Sequence, residues 1–298
     1  MFRQIVVGVD EHEGGRDAIA VAMKLLAPDG DLTLAHVYAG DPHLHRGASP
    51  AYDASERERA IELLEKTRQE TGVEANLRWR GSPSVGRGLH ELAELVGADL
   101  LVVGSTRRSL LGRVLVGDDT RSALNAAPCA IAVAPAGYAK ELAVMREIGV
   151  GYDGSPESEH ALEVATALAK DVGAKLSAFE AVSLPVYVFT AGPVPIDESI
   201  EDLVNDARTR IAALGEVEPH AAYGRAAEEL ALYSASLDLL VVGSRGYGPI
   251  GRLIHGSTSL QLAHTARCPL LVLTRSARPV EPLSEADEGR ETAVAMQP

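Results

Sequence analysis

Four residues in the second half of the chain have the types and spacing needed to hold a phosphate: Gly243, Gly246, Gly256 and Ser257. Without a Cβ, a glycine accepts positive φ and lets a ligand come close, which suits Gly243 and Gly246 to a turn that wraps phosphate oxygens. Gly256, Ser257 and Thr258 then open a helix. A helix start offers unpaired N–H groups and a partial positive charge, and the two hydroxyls add hydrogen bonds to phosphate oxygens or to a Mg2+-bound water. A rival reading makes Ser257 and Thr258 mere helix caps. It accounts for the helix start but not for two upstream glycines at fixed spacing.

The same text stands 139 residues earlier with two of its four motif residues changed. Residues 238–246 read Asp-Leu-Leu-Val-Val-Gly-Ser-Arg-Gly and residues 99–107 read Asp-Leu-Leu-Val-Val-Gly-Ser-Thr-Arg; nine residues on, Gly256-Ser257 is matched by Gly117-Asp118. Gly104 and Gly243, Gly117 and Gly256, and Cys129 and Cys268 are each 139 residues apart, while Asp10 and Asp153 are 143 apart. A repeat of this length is a whole domain, since solenoid units recur every ~20–50 residues. In the first copy Arg107 replaces a permissive glycine with bulk, and Asp118 and Asp119 place carboxylates where a γ-phosphate would sit. Like charges within ~5 Å repel by a few kcal/mol at an effective dielectric near 20. The first half is therefore expected to be silent, although Arg107-Arg108 could attract an anion from another direction.

Two better-known motifs fail on the same residues. Gly246-Tyr-Gly-Pro-Ile-Gly251 fits G-x-G-x-x-G, but it follows a fourth strand, holds a proline and has no acid near Leu271 to meet a ribose. Gly251-Arg-Leu-Ile-His-Gly256 fits a P-loop frame, but Ser257 stands in the lysine position, which argues against a hydrolytic P-loop. No G-x-S-x-G elbow suggests a hydrolase. His43 and His45, in a polar loop without a cysteine or carboxylate cluster, read as solvated rather than metal-binding.

These residues need a scaffold, and the pattern supplies one. Continuous apolar runs alternate with longer amphipathic stretches, as βαβ units do when parallel strands are covered on both faces. Strands are predicted near 3–9, 32–38, 75–79, 99–103 and 129–134, then near 147–152, 175–182, 218–222, 238–242 and 269–274. Helices are predicted near 13–27, 54–71, 84–97 and 117–126, then near 157–171, 197–214, 225–236 and 256–266. The fold class is α/β: two tandem doubly wound domains, each a five-stranded parallel sheet with helices on both faces, at residues 1–136 and 147–275. Residues 137–146 form a linker and 276–298 an acidic, solvated tail. Ligands of such sheets bind beyond the carboxyl ends of the strands. Asp10 and Asp153 follow the first strand of each half, as metal or ribose ligands or as plain N-caps, and the glycine motifs follow the fourth. The long loops near 39–52 and 183–195 overhang the crevices.

A net charge of −14 argues against nucleic acid and anionic lipid as partners, because both are held by basic surfaces. No apolar run approaches the ~18 residues of a membrane span, and the N-terminus reads directly into a strand without a signal-peptide pattern. A cytoplasmic protein is expected. Its two cysteines, at matching repeat positions, suit small buried packing rather than redox work.

With these residues in view, the chain resembles a tandem universal stress protein over about residues 1–275. The ATP-binding branch of that family carries G-x2-G-x9-G-(S/T) after the fourth strand, matched by Gly243, Gly246, Gly256 and Ser257. It also has an aspartate after the first strand, matched by Asp153, and a small apolar residue late in the second strand that packs on adenine, where Ala181 or Val182 falls. The resemblance implies an adenine nucleotide α-hydrolase-like fold and one ATP, with or without Mg2+, per chain. It places that ligand on Asp153, Gly154, Ala181, Val182, Gly243, Ser244, Arg245, Gly246, Gly256, Ser257 and Thr258, with Asp10, Val37, Gly104 and Gly117 as the first half's counterparts. It further implies a role in stress physiology with little or no catalysis, no metal held by protein alone, and pairing through the last strands. Here the two halves would pair as an internal pseudo-dimer, and a homodimer of the whole chain stays open. Two rival functions stand beside this one. A slow ATPase or nucleotidyl transferase would use Asp153 for Mg2+, with His255 the nearby titratable group. A protein-interaction module would have both sites vestigial.

Overall fold

The apolar runs become strands because both of their faces are covered. In the computed structural model, which describes residues 1–39, 50–105, 123–124, 127–140, 144–183, 196–244 and 257–274, the first half forms β1 (Phe2–Gly8), α1 (Gly14–Leu25), β2 (Leu26–Ala39), α2 (Pro50–Thr71), β3 (Asn76–Ser82), α3 (Val85–Val96), β4 (Leu100–Gly104) and β5 (Ala130–Ala134). The second half forms β6 (Glu147–Gly151), α4 (Pro156–Val172), β7 (Lys175–Val182), α5 (Ile196–Ala212), β8 (Glu218–Tyr223), α6 (Ala226–Tyr233), β9 (Leu239–Gly243), α7 (Ser257–Thr265) and β10 (Leu270–Leu273). Adjacent strand residues alternate between two cores. Val7, Leu100, Leu239 and Leu271 face one, and Val6, Leu101, Leu240 and Val272 face the other. Both cores contain residues of both halves.

One sheet of ten strands results, in the order β3-β2-β1-β4-β5-β10-β9-β6-β7-β8. Pairing is parallel within each half. The last strands meet antiparallel, Leu270 opposite Val133 and Val272 opposite Ile131, and Thr274 Oγ1 donates to Cys129 O across the joint at 3.2 Å. The carboxyl ends of β1–β5 therefore lie at one edge of the sheet and those of β6–β10 at the opposite edge. The outer strands are poor templates for further pairing, since β3 carries Arg78 and Arg80, and β8 carries Pro219.

Three elements differ from the sequence reading. Helix α1 stops at Leu25 and β2 starts at once, because Leu26 pairs with Phe2 before the ladder jumps to Gln4 opposite Asp31. The turn-like Pro28-Asp29-Gly30 is absorbed as a bulge inside β2 rather than separating it from the helix. Helix α6 ends at Tyr233 and closes with a 3-10 turn at Ser234–Ser236. The linker is seated rather than bare: buried Asp17 of α1 accepts from Gly137 N and Ala139 N, both at 2.8 Å, and Lys24 Nζ donates to the hydroxyl of buried Tyr138 at 3.0 Å. The helix predicted at 117–126 lies outside the described residues apart from helical, buried Ala123 and Leu124. His43, His45, His255 and the tail from 276 also lie outside them.

Cys129 and Cys268 are buried and unbridged, and burial pushes each thiol up to about 12. The thiolate is the reactive form. The native protein is therefore expected to resist a thiol reagent at pH 8 and to release two reactive thiols on denaturation. Rapid labelling of the native chain would contradict the burial argument.

Candidate functional site

In each half the fourth strand must end in glycine because the first helix of that half comes too close for anything else. A Cβ on Gly104 would fall inside 3.0 Å of Gly14 backbone atoms, and one on Gly243 would do the same with Glu157 O and C. Neither glycine is among those with positive φ. The first glycine of the motif thus sets the helix against the sheet edge, beside its expected part in a phosphate turn. Ser244, next in line, is buried and donates its N–H to Leu273 O at 2.9 Å, a bond that Ser105 N repeats to Ala134 O.

The two aspartates are held differently, and neither is the helix cap. In the second half Ser155 is the N-cap of α4, its Oγ accepting from Ser158 N at 3.3 Å. Asp153 stands two residues earlier, and its Oδ1 accepts from Ser155 N at 3.1 Å and Ser155 Oγ at 2.5 Å. Gly154 between them has φ +72°, a left-handed conformation that favours glycine. In the first half Asp10 Oδ1 accepts from His12 N at 3.0 Å, and Glu13 is the N-cap of α1 without a side-chain cap bond. Ser155→Ala is expected to cost about 1 kcal/mol in urea unfolding through the lost cap, with Ser155→Thr restoring most of it. An unchanged midpoint for the alanine variant would remove Ser155 from this role.

The second-half candidates converge on one edge. β6 lies between β9 and β7, so Asp153 and Gly154 after β6, Ala181 and Val182 on β7, and Gly243 and Ser244 at β9 are neighbours. Ala181 packs on the core that holds Phe179 and Leu230, whereas Val182 packs with Ala207 and Ala221. Burial first, then the carboxylates of Glu159, Glu180 and Asp153, hold the Tyr152 phenol above its usual range, opposed by Arg210, which pairs with Glu180 at 2.6 Å. Arg245, Gly246 and Gly256 lie outside the described residues, while Ser257 and Thr258 begin α7. No cluster of three His, Cys, Asp or Glu suited to a metal occurs among the described residues.

In the first half Asp10, Val37 and Gly104 come together around a cavity of ≈ 90 Å³ whose walls include Gly8, Gly14, Ala35, Leu89 and Val103. Gly117 lies outside the described residues. The cavity sits between β1 and β4, where the strand order reverses. Sequence reasoning missed two supports of the scaffold, one at this edge and one at the amino ends of the strands. One is Asp17, which ties the linker to α1. The other is the pair Asp99 and Asp238: Asp99 accepts from Arg3 N at 2.8 Å and Gln4 N at 3.1 Å, and Asp238 from Arg146 N at 2.7 Å and Glu147 N at 2.9 Å. Their invariant place at the head of both Asp-Leu-Leu-Val-Val-Gly runs was the available signal.

The family model described as "Universal stress protein family" matches residues 1–135 and again 145–274. The chain belongs to the universal stress protein family. Among its relatives, a universal stress protein of Mycobacterium tuberculosis is 33% identical over 190 residues, covering 60% of this chain and 63% of that one. The matched region thus spans less than two thirds of the length of those relatives. A universal stress protein of Mycolicibacterium smegmatis is 28% identical over 298 residues, covering 90% of this chain and 96% of its own. Two solved structures share the fold at 20% identity: a universal stress protein from Archaeoglobus fulgidus (TM-score 0.67, 91% of this chain and 98% of that one) and a putative one from Pseudomonas aeruginosa (TM-score 0.58, 91% and 93%). Among the described residues no helix is long and apolar enough to cross a membrane.

Proposed function

We propose that this universal stress protein binds one adenine nucleotide, ATP with Mg2+, at the carboxyl edge of its second domain and acts in the cytoplasm as a nucleotide-dependent regulator in the stress response. The observation that carries this reading is the unbroken Gly243, Gly246, Gly256, Ser257 series, which leaves the sheet at the end of β9, beside β6 and Asp153, and re-enters the fold at the start of α7. The residues suit the ligand. Ser257 and Thr258 supply helix N–H groups to phosphate, and Ala181 supplies a small apolar wall for the base. Bound Mg2+ would offset repulsion between phosphates and the carboxylates of Asp153 and Glu159, Glu180 being paired with Arg210. Asp153, held through one carboxylate oxygen by Ser155, is the group placed to meet a ribose hydroxyl or a metal-bound water.

Calorimetric titration with Mg·ATP is expected to give a micromolar Kd, about −8 kcal/mol, at one site per chain. Gly246→Arg, which copies the Arg107 of the first domain, is expected to abolish it. Two Mg·ATP sites, or binding that survives the substitution, would refute the assignment to the second domain.

A further inference from the structure

The outer strand of the first domain carries charge of the opposite sign to the chain as a whole. β3 is the last strand on its side of the sheet, so every second residue turns a backbone N–H and C=O away from β2, where no strand meets them among the described residues. It reads Asn76-Leu-Arg78-Trp79-Arg80-Gly-Ser82 in a protein of net charge −14. Arg78 and Arg80 are exposed and share one face of the strand. On that face Arg80 and Arg87 of α3 both pair with Glu91, Arg87 at 3.0 Å. Three guanidiniums thus stand against one carboxylate, and the group stays positive. The opposite face is aromatic: Trp79, the chain's single tryptophan, is half-buried, with the Arg57 guanidinium of α2 5.5 Å from its ring centroid.

The duplicate lacks all of this. Gly8 and Gly151 end the first strand of each domain; Gly8 pairs with Ala35 and Ala35 with Arg78, whereas Gly151 pairs with Phe179 and Phe179 with His220. Trp79 and Arg80 therefore correspond to Ala221 and Ala222, and Leu77 to Pro219, which has no N–H to offer a further strand.

We propose that the outer side of β3 is a docking surface for an acidic, extended segment of another protein, which adds to the sheet as one further strand. Charge complementarity selects this occupant. Arg78 and Arg80 repel the β3 of a second copy, and they offer charge-assisted pairs to Asp or Glu at alternate positions of an incoming strand. The residues between those acids lie beside Leu77 and Trp79, which suits Val or Ile. Main-chain hydrogen bonds supply affinity in strand addition, and alternate side chains supply specificity. Nucleotide binding in the second domain has no part in this surface.

Because the chain has a single tryptophan, Trp79 emission reports the surface directly. The capped peptide Thr-Glu-Val-Glu-Val-Glu-Thr, matched to the seven residues of β3, is titrated into the full-length protein at low salt. A saturable emission shift is expected with a Kd below about 1 mM, and about tenfold weaker binding of Thr-Lys-Val-Lys-Val-Lys-Thr and of a glutamate peptide with proline for both valines. Arg78→Glu, an exposed substitution, should weaken the glutamate peptide about fivefold. Arg78→Glu combined with Arg80→Glu should reverse the preference between the glutamate and lysine peptides, with a thermal melt to show that both variants are folded. No saturable shift, equal binding of the lysine or proline peptide, or indifference to Arg78→Glu would each overturn the proposal. Tighter binding of an oligothymidylate would do so in favour of single-stranded nucleic acid, and emission that shifts on concentrating the protein alone would do so in favour of a second copy.

Discussion

Gly243→Ala is expected to lower the unfolding free energy by about 3 kcal/mol with no nucleotide present. The added methyl would collide with backbone atoms of Glu157, in the first turn of α4, and backbone cannot rotate away as a side-chain tip can. Relief requires α4 to lift from β9, which exposes Val164, Ala165 and Leu168 from the core they share with both halves. For a chain of this size the loss corresponds to roughly 5–10 °C in Tm. Gly104→Ala should do the same through Gly14. Circular dichroism melts of the two variants decide the matter. If the alanine proteins melt within a degree of the parent and only nucleotide affinity falls, then these glycines serve the ligand alone and the close-approach argument is wrong.

The parent chain should unfold in a single calorimetric transition although it is a tandem of two domains. Each core runs through β5 and β10 without interruption, so neither half can leave without exposing the other. Leu271, fully buried in the joint, tests this. Leu271→Asp places a carboxylate between β5 and β9, where nothing pairs with it, and is expected to cost about 4 kcal/mol or more. The substituted protein should also unfold in two steps as the halves lose their shared strand pair. Two transitions in the parent would mean that the joint is weaker than its burial indicates.

Most of the architecture could be read from the sequence because strands covered on both faces need continuous apolar runs, and such runs are unmistakable around Val6-Val7, Leu100–Val103 and Leu239–Val242. The start of β2 was hidden by Pro28-Asp29-Gly30, whose local chemistry is that of a turn while tertiary pairing with Phe2 makes it a bulge. The clamp of Asp17 on the linker had a faint signal, a charge on the helix face that also carries Val21, but local spacing cannot reveal a partner 120 residues away. At the site, the letter Gly at positions 104 and 243 was legible and its cause was not. Positive φ, ligand approach and helix approach all select the same residue, and only the packed structure separates them. The first domain was judged from its phosphate end, where Arg107 and Asp118 are conspicuous. Its cavity depends on Ala35 and Gly8, small residues that no motif contains.

The antiparallel joint has a bearing on how the duplicated gene could diverge. With the two mouths at opposite edges of one sheet, no single small molecule can touch both, and a substitution at one mouth leaves the contacts of the other intact. Arg107 and Asp118 could therefore arise in one copy while the glycine series of the other stayed intact. A protein docking at either edge would meet the mouth of one domain only.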